Sequence, residues 1–263
     1  MQERTITIRD GMFSAQVREY GAASAEPLLF LHGSGGPMPD RYLDLLAERF
    51  HVLAPEHPGY GDSTGLEHLD DIVDFALYYY DLMDVAGIES AHVVGHSLGG
   101  MLAAEIAALD PHRVRKLVLA NPIGLWRDDA PTLDFFSADP QTLMEAIWFD
   151  PVGEVASARR PPNMDDMEKL MEYMYASMQS LSAAAKFQWP LPDKGLSKRI
   201  HRIKAPTLIL WGEKDGLVPP VYAEEFRTRI RDSRVVILKQ AAHMTMLEQP
   251  DEFASVILEF LGG

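Results

Sequence analysis

The stretch AHVVGHSLGGMLAAEIAAL, residues 91–109, decides how the rest of the chain is read. Ala91–Gly95 is short and apolar, as a buried strand is, and Leu98–Leu109 has the length and composition of a buried helix. Between them Gly95-His96-Ser97-Leu98-Gly99-Gly100 leaves room only for a sharp turn. A serine at the apex of such a strand–turn–helix unit sits in strained backbone at the tip of the strand. Side chains on either side of it would collide with the neighbouring strand and helix, which accounts for glycine at 95 and 99. The start of the following helix also directs backbone N–H groups toward developing negative charge. Ser97 is therefore the candidate nucleophile, and the backbone N–H of Leu98 a candidate oxyanion donor. The plain alternative is a glycine-rich turn that happens to contain a serine.

Moving outward, strands and helices alternate. Thr5–Arg9 and Ser14–Tyr20 flank Asp10-Gly11 and read as a hairpin. Pro27–Leu31 reads as a buried strand, Arg41–Phe50 as a helix, His51–Ala54 as a strand and Asp70 to Gly87 as a long helix. Val114–Ala120 is a further strand. After Asn121-Pro122 the alternation stops, and to about Ile200 the chain reads as helical and strandless. It resumes with Pro206–Trp211 (strand), Val221–Ile230 (helix), Arg234–Leu238 (strand) and Asp251–Leu261 (helix). The pattern predicts an α/β fold: a mostly parallel eight-stranded sheet with helices on both faces. Residues 1–121 and 201–263 form its core domain. Residues 122–200 read as a helical lid inserted after the sixth strand, over the carboxyl edge where ligands bind in such sheets.

A serine hydroxyl needs a base near neutral pH, and the base needs an orienting acid. His243, in a small-residue loop between the last strand and the final helix, is the candidate base. Asp215, in the polar turn after the strand ending at Trp211, is the candidate acid; Glu213 is its nearest competitor. His32-Gly33-Ser34-Gly35-Gly36 follows the third strand. Its glycines allow backbone N–H groups to approach a substrate oxygen, and Ser34 or Gly35 is expected to supply the second oxyanion donor. No lysine follows in the pattern of a phosphate-binding loop.

Composition narrows the classes. The 263 residues carry a formal net charge of −15, with 47% hydrophobic and 24% charged residues and no cysteine. That size buries one large core. The acidic balance disfavours nucleic acid and anionic membranes as partners. Without cysteine there is no disulfide, thiolate nucleophile or Cys-ligated metal. No apolar run of membrane-spanning length occurs, and the charged N-terminal residues lack a signal-peptide core, so a cytoplasmic protein is expected. Neither a metal nor an organic cofactor is called for.

With these elements in hand, the chain resembles the α/β-hydrolase superfamily, in the branch with an HGxG loop and a helical lid. Pro58-Gly59-Tyr60-Gly61-Asp62-Ser63 is similar to that family's PGxGxS stretch, and Ala205–Gly212, Asp215 and Val218-Pro219 also match. The chain order Ser, Asp, His is the family's. Glu56 departs from the aspartate that relatives often carry there. The resemblance implies a serine hydrolase. Serine at 97 argues against haloalkane dehalogenases and epoxide hydrolases, which use aspartate, and the lack of cysteine against dienelactone hydrolases.

Met164, Met167, Met171, Met174 and Met178 fall on one stripe of a lid helix. They read either as packing or as an adaptable apolar wall over the substrate. His32, Gly33, Trp126, Trp148, Met171, Met174, Trp189 and Met244 are the candidate pocket residues, with Phe187 and Met246 nearby. The expected partner is a small, uncharged, fairly apolar ester, cleaved through an acyl-enzyme on Ser97 by a monomer or homodimer. The alternative is a carbon–carbon bond hydrolase of ring-cleavage dienoates, with Arg159 or Arg160 holding the carboxylate. A cofactor-free perhydrolase and a non-enzymatic ligand receptor are further readings.

Overall fold

Alternate residues of the buried strands face two different cores. Leu29 and Leu31 belong to one apolar cluster, Leu28 and Phe30 to the other. Leu208 and Leu210 likewise face away from Ile209 and Trp211. A sheet lined this way must be covered on both sides. The computed structural model describes residues 1–162, 165–191 and 193–263.

The strands are β1 (Gln2–Ile8), β2 (Phe13–Tyr20), β3 (Glu26–Leu31), β4 (Phe50–Pro55), β5 (Ala91–His96), β6 (Val114–Ala120), β7 (Thr207–Gly212) and β8 (Ser233–Leu238). They form one eight-stranded sheet in the order β1-β2-β4-β3-β5-β6-β7-β8. β2 pairs antiparallel with β1 and β4, and every other pairing is parallel. On one face lie α2 (Ile72–Val85), α3 (Leu98–Leu109) and α8 (Val221–Arg229), contributing Phe75, Leu102 and Phe226 to the first cluster. On the other lie α1 (Arg41–Ala47) and α10 (Pro250–Gly262), contributing Leu46 and Phe253 to the second. The carboxylate of Asp71 caps α2 by accepting from the N–H groups of Val73 and Asp74.

Between β6 and β7 the chain forms α4 (Pro140–Ile147), α5 (Glu154–Ser157), α6 (Met167–Gln188) and α7 (Leu196–Arg199), with no strand among the described residues. No described helix is long and apolar enough to cross a membrane. A short helix not expected from the sequence, α9 (Thr245–Glu248), precedes α10. The first helix also stops earlier than its spacing predicts: Phe50 opens β4, where it is buried in register with Glu26 of β3. Sheet pairing overrides the helical period there.

The methionine stripe is corrected. Met167, Met171, Met174 and Met178 are 53–66% exposed, so Met171 and Met174 are not walls of an enclosed pocket. The buried residues of α6 are Ser180, Ala183, Ala184, Phe187 and Gln188, all toward its C-terminal end. Small side chains let that end approach the body closely, and the stripe lies on the solvent side of the rest. Met164 lies outside the described residues.

Candidate active site

Parallel strands bring their carboxyl ends to one edge. The loops after β3, β5, β6, β7 and β8 therefore meet there, and each carries a residue of interest. At the end of β5, Ser97 has φ 54° and ψ −112°, a conformation that a non-glycine residue keeps only when its surroundings enforce it. Its N–H donates to the Ala120 carbonyl at 3.0 Å, and its own carbonyl accepts from Met101 and Ile123. The turn is tight. A β-carbon on Gly95 would lie 2.1 Å from the Gly99 oxygen, and one on Gly99 2.1 Å from the Leu31 oxygen. Only glycine fits at either position.

His96 binds the next loop to this turn. Its Nε2 donates to the carbonyl of His243 at 2.8 Å. Burial pushes its pKa down to about 3, with the neighbouring His243 acting in the same direction. The ring is therefore neutral, its proton on Nε2 and its Nδ1 unpartnered among the described residues.

His243 itself is buried, and its Nδ1 donates to Asp215 Oδ2 at 2.8 Å. Asp215 is saturated. Oδ1 accepts from the N–H groups of Leu217 (2.9 Å) and Val218 (2.8 Å), and Oδ2 also accepts from Asn121 Nδ2 at 2.7 Å. These bonds fix the orientation of the carboxylate. With its Nδ1 proton committed to Asp215, His243 presents the lone pair of Nε2. Glu213, the competing acid, instead accepts from the N–H of Gln240.

Asn121 is the residue that sequence reasoning missed. It was visible only as the point where alternation stops. It is fully buried with φ 46°. Besides Asp215, its amide donates to the Ala242 carbonyl (3.3 Å), and its Oδ1 accepts from Thr245 Oγ1 (3.0 Å). It thus ties the acid loop to the base loop. Asparagine tolerates left-handed backbone better than most residues, which is the one signal the sequence offered.

The helical segment joins the same network. Ile147 O accepts from the N–H groups of His243 and Met244, and Ala146 O from that of Gly216. Glu248 accepts from the N–H of Ala242 (2.7 Å) and of Phe149 (2.5 Å). Burial pushes its carboxyl above the usual range, against those two bonds.

In the loop after β3, Gly36 N–H closes a turn onto the Gly33 carbonyl at 3.1 Å. The N–H groups of Ser34 and Gly35 thus make no turn bond. Leu98 N–H, first in its helix, has no intrahelical acceptor. Gly33 lies against the nucleophile turn, since a β-carbon on it would fall 3.2 Å from Ser97 Cβ.

Next to this site is a narrow crevice of about 30 Å³, open to solvent and lined by Met101, Ile123, Leu125, Trp126, Leu133 and Val218 among others. Trp126 of the candidate pocket residues is there. Four others are elsewhere. His32 is not a crevice residue. Its Nδ1 donates to the Gly33 carbonyl and its Nε2 accepts from the His57 N–H. Burial lowers its pKa to about 4, and it borders a smaller hollow with Phe30, Met38 and Tyr42. Trp148 and Met244 are buried in the second core cluster, beside the His243 loop. Trp189 is half exposed, its ring edge-on to Phe136. Arg159 pairs with Asp40, and Arg160 donates to the Pro151 carbonyl. Neither lines the crevice; the basic side chain that does is Lys194.

A family model described as alpha/beta hydrolase fold matches residues 26–250. The chain belongs to this family. It is 30% identical, over 97% of its length and 68% of the other's, to the dihydrolipoyllysine-residue acetyltransferase component of an acetoin cleaving system from Cupriavidus necator. It is 26% identical, over 97% of its length and 95% of the other's, to a 2-hydroxy-6-oxo-6-phenylhexa-2,4-dienoate hydrolase from Burkholderia cepacia. Among solved structures, a bacterial membrane phospholipase A superposes with a TM-score of 0.82 at 25% identity, covering all of this chain and 86% of the other. The hydrolase family and its eight-stranded, mostly parallel sheet agree with what the sequence predicted.

Proposed function

We propose that the protein hydrolyses small to medium, uncharged, fairly apolar carboxylic esters through an acyl-enzyme on Ser97. The observation that carries this is the bond from His243 Nδ1 to the fully engaged Asp215, set beside the strained Ser97 turn. Ser97 Oγ attacks the ester carbonyl while Nε2 of His243 takes its proton. Asp215 stabilises the imidazolium without itself being protonated. The N–H of Leu98, with that of Ser34 or Gly35, receives the oxyanion; one such donor is typically worth roughly 10²–10³ in rate. The imidazolium protonates the leaving alcohol, and water repeats the sequence on the acyl group. No metal or organic cofactor enters these steps. Residues 122–200 act as the lid, with the apolar crevice beneath receiving the substrate's apolar part.

A second reading, cleavage of a carbon–carbon bond in a ring-cleavage dienoate, is favoured by the similarity to the Burkholderia cepacia enzyme. Such a substrate carries a carboxylate. Arg159 and Arg160 are engaged elsewhere, which leaves Lys194 to meet it. The apolar lining of the crevice weighs toward the ester.

The test is hydrolysis of 4-nitrophenyl esters from acetate to palmitate by wild type and Ser97→Ala, with a 2-hydroxy-6-oxo-dienoate assayed alongside. Ester turnover that peaks at one chain length and disappears in the variant supports the first reading. Bleaching of the dienoate far faster than any ester is cleaved replaces it with the second.

A further inference from the structure

One buried polar group beside the site does nothing in the mechanism above. Gln188, the last residue of α6, is only 2% exposed and lines the crevice. Its Nε2 donates to Ser34 Oγ at 2.7 Å, and Ser34 is not among the crevice-lining residues. The amide is thereby held with its nitrogen toward the oxyanion loop. Its Oε1 is buried and has no hydrogen-bond partner among the described residues.

The surroundings make that oxygen informative. Two walls of the crevice are bonded directly to the candidate catalytic residues. Met101 and Ile123 donate their N–H groups to the Ser97 carbonyl, and Leu217 and Val218 donate theirs to Asp215. The crevice is therefore built on the same loops that carry Ser97 and Asp215. Besides Gln188 the lining includes Thr132, Asp193 and Lys194, but Met101, Ile123, Leu125, Leu133, Leu217 and Val218 are apolar, and a buried acceptor left unpaired among them carries the full cost of its desolvation. Recognition sites are built this way, largely apolar with a few placed polar groups that fix orientation.

We infer that Gln188 is a substrate-recognition residue whose amide oxygen accepts a hydrogen bond from a hydroxyl or N–H carried on the apolar group that occupies the crevice. This deepens, and rests on, the serine-hydrolase reading. The preferred substrates are esters of hydroxylated or amidated apolar groups, not plain hydrocarbon esters. A site with such an acceptor rejects the analogue that cannot donate, because the acceptor is then left buried and unpaired.

The experiment compares matched aryl esters carrying either a hydroxyl or a methyl group at the same position, on the acyl or the alcohol part, with wild type and Gln188→Leu. Wild type prefers the hydroxylated member at one position or more by at least tenfold in kcat/KM. In Gln188→Leu that ratio falls to near one, whatever the absolute rates of the two esters. Gln188→Met, an unbranched replacement of similar length, gives the same answer if the leucine variant does not fold. Equal ratios in wild type and variant at every position overturn the inference, as does a wild type indifferent to the hydroxyl.

Failure of the hydrolase reading looks different: no ester is cleaved above the Ser97→Ala background. In that case the same pairs, made as non-hydrolysable amides, are compared by the thermal shift they cause in Ser97→Ala and in Ser97→Ala/Gln188→Leu. A hydroxyl preference present in the first and lost in the second upholds the recognition site by itself, and its absence in the first removes it.

Discussion

Replacing Asn121 by alanine separates orientation of the acid from its mere presence. Asn121 Nδ2 lies 2.7 Å from Asp215 Oδ2, the same oxygen that accepts from His243 Nδ1. Hydrogen bonds to a charged group are worth about 1.5–3 kcal/mol. Asn121 also holds φ 46°, where alanine costs roughly 1–2 kcal/mol. Asn121→Ala should therefore lose about 3–5 kcal/mol of stability in urea unfolding. Asn121→Gly, free of the backbone penalty, should lose about 1–2 kcal/mol less. Catalysis should suffer alike in both, because the carboxylate keeps its Leu217 and Val218 bonds on Oδ1 but loses one restraint on Oδ2. If roughly half of the charged bond is expressed in the transition state, kcat falls about tenfold while KM holds, since 1.4 kcal/mol is a factor of ten. Asn121→Asp is harsher. It sets a second carboxylate against Asp215, so the pair shares a proton, and the acid limb of the kcat profile moves to higher pH. The assay is ester hydrolysis from pH 5 to 9 on the three purified variants. Wild-type kcat in Asn121→Ala with an unmoved acid limb in Asn121→Asp refutes the claim that the acid is positioned through Asn121.

Gly99→Ala should not yield a stable protein, because its methyl would sit 2.1 Å from the Leu31 oxygen and 2.6 Å from that of His32, both backbone atoms; an unchanged melting temperature contradicts this. His32 and His96 are buried with pKa values lowered to about 4 and about 3, mainly by burial. Below about pH 6.5 the unfolded chain binds protons that the folded chain refuses, so this stability is complete above that pH and is lost as pH falls toward 4. The urea midpoint should drop steadily from pH 7 to 5, less so in His96→Asn, and a flat profile counts against the neutral histidines. The fully buried Glu105 is held by two 2.7 Å bonds from Arg199. Arg199→Met should therefore cost about 3–5 kcal/mol, and adding Glu105→Leu should recover most of it. A double variant no more stable than the single one removes that explanation.

The sheet and the elements around Ser97 were legible because each depends on local pattern. Ala91–Leu109 alternates and turns in a way that only one geometry accommodates, and α3 and β6 begin and end where the sequence placed them. The three candidate catalytic residues stand out in the sequence because each lies in the loop that follows a strand. What was not legible depends on contacts between distant segments. The methionine stripe has perfect helical spacing, yet spacing says which residues share a face and not which face is covered. In α6 the covering is decided by Ser180, Ala183 and Ala184, whose smallness carries almost no signal in a hydrophobic pattern. His32 reads as a pocket residue from its glycine neighbours, but a bond from the His57 N–H turns it into a strut. Asn121 and Gln188 act through side-chain bonds to Asp215 and Ser34, 94 and 154 positions away, which one sequence cannot reveal.

The same distant bonds decide how the helical segment relates to the chemistry. Ala146 and Ile147 accept from Gly216, His243 and Met244, and Phe149 donates to Glu248. One end of the segment is thus built into the loops that carry the acid and the base. Its other end enters through Gln188, bonded to Ser34 in the oxyanion loop. Between these anchors, α6 exposes its first two thirds. Moving the anchored parts breaks several buried bonds at once, each with its own desolvation cost, whereas moving the exposed stretch of α6 breaks few. Regions with few buried contacts are where a fold opens first. On the proposed hydrolase reading, substrate is expected to enter past the exposed part of α6, whose movement leaves the His243–Asp215 bond in place.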